Sequence, residues 1–476
     1  MAHPTYSPSA GISCDPAPGQ HPADAWPDGP LLAWCGDDFT GSTDVMEAFA
    51  RAGVPCVLFL QPPPPHWVQR FAGQRAIGLA TTARSRDPAW MDTHLPEAYA
   101  RLQAFGAPIL QYKVCSTFDS APHVGSIGRA AELGQAAVGG DWVPVVVGAP
   151  RLKRYQAFGN LFAVADGQGH RLDRHPTMAR HPVTPMDEAD LGHHLARQTA
   201  APVALIDLAQ LQAGQGAARR DALRDATTAP RVLIDVIDEA TLAAAGALVW
   251  RGRGQGLFCA ASSGLQDALA AHWRRCGLLA AAQPLPRAPA VEAIAAVSGS
   301  CSPVTAAQIA RAAEDGFTLL RLDLPGVLDG DGTAEVERLV TAAAQALAAG
   351  RSPLVHSATG PDDPTVTGFD AIARTAGLGR AAAAERVGQR LADVMRGLLD
   401  RTPALRRIAI AGGDSSGAVA GSLGIAALSV SAGLVPGAPL CRGWSDEPRR
   451  DGLELVLKGG QMGGVDFFGQ VRSGGH

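Results

Sequence analysis

Short apolar runs closed by glycine or small polar residues recur along the chain, separated by longer stretches of helical period. Residues 31–35, 54–60, 75–80, 109–114 and 142–147 have the length and aliphatic content of buried strands. Runs at 202–206, 231–234 and 247–250 continue the series. Uninterrupted apolar strands that end in polar clusters, with helices between them, indicate a mostly parallel sheet covered on both faces. The 281–290 segment holds three prolines and no hydrophobic period, so it reads as a linker. Beyond it the alternation reopens, with strands expected at 293–297, 354–358 and 406–411 and helices over 303–313, 333–347 and most of 370–399. The expected organisation is a flexible leader at 1–28, a first domain at 29–285 and a second at 291–476. The fold class is α/β, with two α/β domains of mostly parallel sheet and a cleft between them.

Composition narrows the function without naming it. A chain of 476 residues with 46% hydrophobic and 18% charged residues is long enough for more than one core. The formal charge of -4 gives no electrostatic case for nucleic acid as a partner. The eight cysteines form neither a CxxC pair nor a dense framework, so they read as buried thiols in a reducing compartment. The proline-rich start lacks the basic-then-apolar order of a secretory signal, and no apolar run is long enough to span a membrane. The expected location is the cytoplasm, without a membrane partner.

Polar chemistry gathers at the ends of the runs. Asp37, Asp38, Thr40 and Gly41 follow the first strand and open a helical pattern. Two carboxylates there suit a base or the binding of hydroxyl groups; capping of the helix by Asp38 or Thr40 is the plain alternative. Arg84 is a candidate clamp for a substrate carboxylate, with a surface arginine as the alternative. Lys113 leads into Ser116, Thr117, Asp119 and Ser120, a density of small polar groups that suits a hydroxylated ligand. The histidine- and proline-rich stretch from Arg171 to Asp190 reads as a structured loop, with Arg174, His175 and Arg180 able to touch substrate. Its histidines have no metal-ligand spacing, and no metal ligands are assigned.

The second half carries three glycine-rich strand ends: Ser298-Gly299-Ser300, Gly412-Gly413-Asp414-Ser415-Ser416-Gly417, and Lys458-Gly459-Gly460 through Gly463 and Gly464. Small residues let backbone amides approach phosphate, and a following helix adds free N–H donors. None has the form of a Walker A loop or a dinucleotide fingerprint.

The DDFTG turn at Asp37, the KVCSTFDS stretch at Lys113, the HPVTPM stretch at His181 and the GGDSSG turn at Gly412 together resemble the four-carbon acid sugar kinases. The resemblance runs over about residues 31–470, with Ser415 where threonine is common. It implies a sugar-acid domain followed by a nucleotide domain, and ATP- and Mg²⁺-dependent phosphorylation of a terminal hydroxyl on substrates such as D-threonate, D-erythronate or a 3-oxo-tetronate. Substrate positions would fall on Asp38, Arg84 and Lys113, and nucleotide positions on Ser300, the 412–416 turn and Gly463. Asp38, or else Asp37, is the expected proton acceptor. Partners are then a small sugar acid and ATP, with a homodimer as the candidate assembly. A nucleotide-dependent dehydrogenase or epimerase and a non-catalytic sugar-acid sensor are the rival readings.

Overall fold

The computed structural model describes residues 21–165, 167–181, 183–224, 228–328 and 330–475. In chain order the strands are β1 (Leu32–Gly36), β2 (Cys56–Phe59), β3 (Ala76–Ala80), β4 (Ile109–Lys113), β5 (Val143–Val146), β6 (Arg154–Ala157), β7 (Asn160–Ala165), β8 (Gln168–Arg171) and β9 (Val203–Ile206). They continue as β10 (Arg231–Ile234), β11 (Leu257–Ala261), β12 (Ala295–Ser298), β13 (Thr318–Arg321), β14 (Pro353–His356), β15 (Arg407–Ala411), β16 (Ala427–Val435), β17 (Ala438–Trp444) and β18 (Glu454–Lys458).

The two α/β halves share one 15-stranded sheet in the order β13-β14-β12-β15-β18-β17-β16-β2-β3-β1-β4-β11-β5-β10-β9. Within each half the α/β strands pair in parallel, as their continuous apolar character requires. The halves join through antiparallel strands, with Ala427 opposite Phe59 and Leu428 opposite Leu58. Successive antiparallel pairings of β2 with β16, β16 with β17 and β17 with β18 reverse the strand direction between halves. A flat sheet would therefore hold their carboxyl ends at opposite edges. The two ends nevertheless meet, so the sheet is not flat, as strand twist and the register shifts within the β16–β17 pair allow.

Helix α1 (Phe39–Ala52) begins at Asp38, whose carboxylate accepts the Gly41 amide, and stops at Gly53 in the left-handed region. Arg151 fixes its buried face by pairing with Asp44 at 2.7 Å and Glu47 at 3.1 Å.

Two sequence expectations change, and one small sheet is additional. Residues 247–250 are the end of a helix, Glu239–Arg251, rather than a strand. A reciprocal capping box between Asp238 and Thr241 starts that helix, and a short apolar run alone cannot separate strand from buried helix. Residues 154–171, to which the sequence pattern assigned no element, fold as a separate antiparallel sheet, β6-β7-β8, that ends where the expected loop at 171–190 begins. Of the cysteines, Cys301 is exposed rather than buried.

Residues 1–20 of the expected leader lie outside the described residues. From Pro22 the chain is docked at the amino edge of the first half. Asp24 is buried, takes two hydrogen bonds of 2.8 Å from Arg251 and sits 2.9 Å from His272 Nε2. The Arg251 guanidinium holds its carboxyl down at about 2. Asp24→Ala should lower unfolding stability by about 2–4 kcal/mol, because it strands a buried histidine and half-buried arginine. Chemical denaturation of the full chain measures this; a change below about 0.5 kcal/mol would mark the contact as incidental.

Candidate active site

Apolar β1 delivers Asp37 and Asp38 to its carboxyl end, where both are nearly inaccessible. Arg84 reaches over from the turn after β3. Its Nε and Nη2 donate to Asp37 at 3.0 and 2.7 Å, and its Nη1 and Nη2 donate to Asp38 at 2.7 and 3.0 Å. Four of the five guanidinium N–H groups are thereby committed to the two aspartates. Asp38 also accepts Thr40 Oγ1 at 2.5 Å and the Gly41 amide at 2.7 Å. The capping alternative is therefore true of Asp38, and so is its place in a polar cluster.

The two carboxyls differ electrostatically. Burial pushes Asp37 up more than Arg84 pulls it down, and the neighbouring Asp38 charge adds to the rise. Burial also acts on Asp38, but Arg84, Lys113, Thr40 and the Gly41 amide outweigh it and hold that carboxyl below its usual range. Lys113, buried at the end of β4, donates to the Val114 carbonyl at 2.6 Å. A side chain at Gly41 would collide with Asp38 Oδ1 and Lys113 Nζ, so glycine there permits the cluster to close.

After Lys113 the chain turns sharply, with buried Phe118 at a φ of 54°. Such strain in a bulky residue needs a surrounding structure that fixes it. Cys115 Sγ lies 2.9 Å from Thr117 Oγ1, and Ser120 Oγ meets His194 Nε2 at 3.0 Å. Thr184 Oγ1 donates to Asp119 and contacts His181 Nδ1 at 2.9 Å. This joins two stretches, at 113–120 and 181–186, that are far apart in sequence; Pro182 lies outside the described residues.

In the second half, Lys458 is completely buried, donates to Thr305 Oγ1 at 2.9 Å and has no carboxylate partner among the described residues. Burial pulls its ammonium down to about 7. Thr305 donates to Ser300 Oγ at 2.9 Å, and Ser302 donates to the Gly460 carbonyl at 2.5 Å. Ser298 Oγ accepts the Ser300 amide at 3.4 Å, while Gln308 holds the carbonyls of Met462, Gly463 and Gly464. Gly412 donates its amide to the Lys458 carbonyl at 2.8 Å, which stitches the second and third glycine turns together. Its φ of 115° and a β-carbon position only 3.2 Å from the Ser300 amide require glycine. Ser415 and Ser416 are buried in the first turn of the helix Gly413–Ser422, and Ser416 Oγ has no hydrogen-bond partner among the described residues. The side chain of Asp414 lies outside the described residues.

The two halves meet at these groups. A β-carbon at Gly413 would stand 3.7 Å from Asp38 Oδ2, and one at Gly459 would stand 3.7 Å from Thr40 Oγ1. Asp38 and Thr40 thus face the 412–416 and 458–463 turns, with Asp37, Arg84 and Lys113 packed around Asp38. Arg174 and His175 are not tied into this cluster. Arg174 is exposed, and His175 is buried in its own loop, where Nδ1 accepts the Thr177 and Met178 amides at 3.2 Å each. Ser302 belongs to the glycine turn at 298–302 read from sequence, but Thr305 and Gln308 were not picked out there. Their signal was there, since Ser302 and Pro303 form the start of a helix immediately after a glycine turn.

Residues 32–269 match the model of a sugar-binding N-terminal domain, and residues 295–468 match that of a nucleotide-binding C-terminal domain. The chain belongs to the four-carbon acid sugar kinase family. Within that family it is 64% identical to the 3-oxo-isoapionate kinase of Paraburkholderia graminis, covering 95% of this chain and 96% of the relative. It is 32% identical to the 3-oxo-tetronate kinase of Cupriavidus necator, over 94% and 98% of the two chains. Among solved structures, a Salmonella typhimurium protein described as a putative tRNA synthase shares the fold, with a TM-score of 0.71, 24% identity and coverage of 93% and 98%. Neither of these two kinases is named for D-threonate.

Proposed function

We propose that this protein is an ATP-dependent kinase for the terminal hydroxyl of a 3-oxo acid sugar, with 3-oxo-isoapionate as its preferred substrate. The observation that carries the reading is the placement of Asp38 Oδ2 against Gly413, at the opening of the glycine turn and its helix N-terminus. The turn suits a triphosphate: a glycine cradle, a helix N-terminus and buried Lys458 without a counter-ion all favour anionic oxygens. The substrate name rests on the Paraburkholderia graminis relative.

In this reading Asp38 accepts the hydroxyl proton as the sugar oxygen bonds to the γ-phosphorus and the bond to the ADP oxygen breaks. A low Asp38 pKa is compatible with that role, because proton loss lags behind phosphoryl transfer in a loose transition state. Lys458 and the amides of the turn stabilise charge on the transferring phosphoryl group. Arg84 keeps the two aspartates apart from bulk water and in fixed orientation. Mg²⁺ would be held mainly by the nucleotide phosphates. Among the described residues the grouping of metal-ligand types is Asp24, His272 and Cys276 at the amino edge, so no step is assigned to a protein-held metal.

ADP release measured with 3-oxo-isoapionate, 3-oxo-tetronate, D-threonate and D-erythronate tests the reading. The first should give the highest kcat/KM. Turnover of D-threonate ahead of both 3-oxo acids would overturn the substrate assignment, and no turnover across the panel would overturn the activity.

A further inference from the structure

The guanidinium expected to clamp the substrate carboxylate is already engaged, since Arg84 binds Asp37 and Asp38 through both edges. An acid substrate entering this site needs a cation other than Arg84, and Lys113 at the end of β4 offers a point charge without a planar two-donor edge. Arg154 answers that need. It is 8% exposed, yet among the described residues no carboxylate pairs with it and its Nε has no hydrogen-bond partner. Nη1 donates to the carbonyls of Leu152 at 2.9 Å and Lys153 at 3.2 Å. A buried charge without a counter-charge is costly and needs a reason. A loop staple would account for Nη1 but not for an Nε without a partner among the described residues.

The fold puts Arg154 at the substrate edge of the first half. The end of β4 is bound to β11 through the Val114 amide and Ala261 carbonyl at 2.9 Å, and β11 to β5 through the Ser262 amide and Val146 carbonyl at 2.9 Å. Just past β5, the backbones of Ala149 and Arg154 exchange hydrogen bonds of 2.9 and 3.2 Å. Arg154 therefore emerges level with the Lys113 turn. Cys115, on that turn, lies within electrostatic reach of both Arg84 and Arg154. Burial, with no carboxylate beside it among the described residues, pulls the Arg154 guanidinium below its ordinary value.

We propose that Arg154 is the carboxylate clamp of the acid-sugar site, presenting its Nε–Nη2 edge to the substrate carboxylate beside the Cys115–Thr117 turn. The inference rests on the acid-sugar kinase reading. It assigns acid recognition to Arg154 and leaves Arg84 to organise the aspartates.

The test compares wild type, Arg154→Met and Arg154→Lys with 3-oxo-isoapionate and with its primary carboxamide. Loss of a charge-assisted bidentate pair should raise KM for the acid about 100-fold in Arg154→Met, with KM for ATP unchanged. The preference for acid over amide should collapse in Arg154→Met and be partly restored in Arg154→Lys. A merely structural role would lower both activities together and keep the ratio. An acid KM within about threefold of wild type, or an unchanged acid-to-amide ratio, overturns the proposal. Should Arg154→Met fail to fold, phenylglyoxal labelling of the wild-type protein decides. The acid should protect Arg154 where ATP alone does not, and absence of protection counts against the clamp. Wild type inactive on every acid sugar sinks the kinase reading and the clamp together; an active wild type with an unaffected variant sinks the clamp alone.

Discussion

Asp38→Asn should lower kcat by about 10²–10⁴, the range for loss of a positioned proton acceptor, with KM for ATP nearly unchanged. Asparagine keeps the shape of the side chain, and its amide oxygen can still accept the Gly41 N–H that starts α1. What it removes is the negative charge between Arg84 and the Gly413 turn. The wild-type pH–rate profile should show its acid limb below the ordinary carboxylate range, because Arg84 and Lys113 hold Asp38 ionised against the effect of burial. Steady-state kinetics paired with a thermal melt separates a lost base from a lost fold. Full activity in Asp38→Asn would remove Asp38 from the mechanism. Activity abolished by Asp37→Asn but spared by Asp38→Asn would transfer the role to Asp37.

Lys458→Met should reduce kcat/KM by about 10²–10³, comparable to losing one preorganised donor to a developing anion. The same change should stabilise the ligand-free protein. Lys458 titrates near 7 in the folded state because of burial, against 10.5 for an ordinary lysine. Below pH 7 both folded and unfolded chains carry the proton, and the folded state bears the full desolvation cost. Between 7 and 10.5 the folded lysine has shed its proton while the unfolded chain keeps one, so stability rises with pH across that window. Methionine removes both the cost and the rise. At pH 6 the variant should be roughly 1–3 kcal/mol more stable, after allowing for the lost bond to Thr305. Denaturation at pH 6 and pH 9, with kinase assays on the same samples, makes the comparison. A variant that is less stable at pH 6, or as active as wild type, contradicts the role given to Lys458.

These two side chains show how differently the parts of the site were legible. Asp37 and Asp38 could be picked out because an apolar run ends in consecutive carboxylates immediately before a helical pattern. Lys458 could be located at a strand end, but a solvated lysine there reads the same in sequence. Its burial depends on the helix Pro303–Glu314, which supplies Thr305, and on Phe467, whose ring lies 5.7 Å from Nζ. Arg154 carried no local signal at all. Its lack of a carboxylate partner among the described residues is a property of everything packed around it.

By itself the sequence determined the class of fold, the strand ends that carry polar groups and the kinship with acid sugar kinases, because each is written in local spacing and residue type. Tertiary structure decided the rest. Antiparallel β16 and β17 join the halves into one sheet that is not flat, and Asp38 meets Gly413 across nearly the whole chain. It also decided that Arg84 holds aspartates and that His175 holds its own loop, since a side chain's partner is chosen by what folding places within reach.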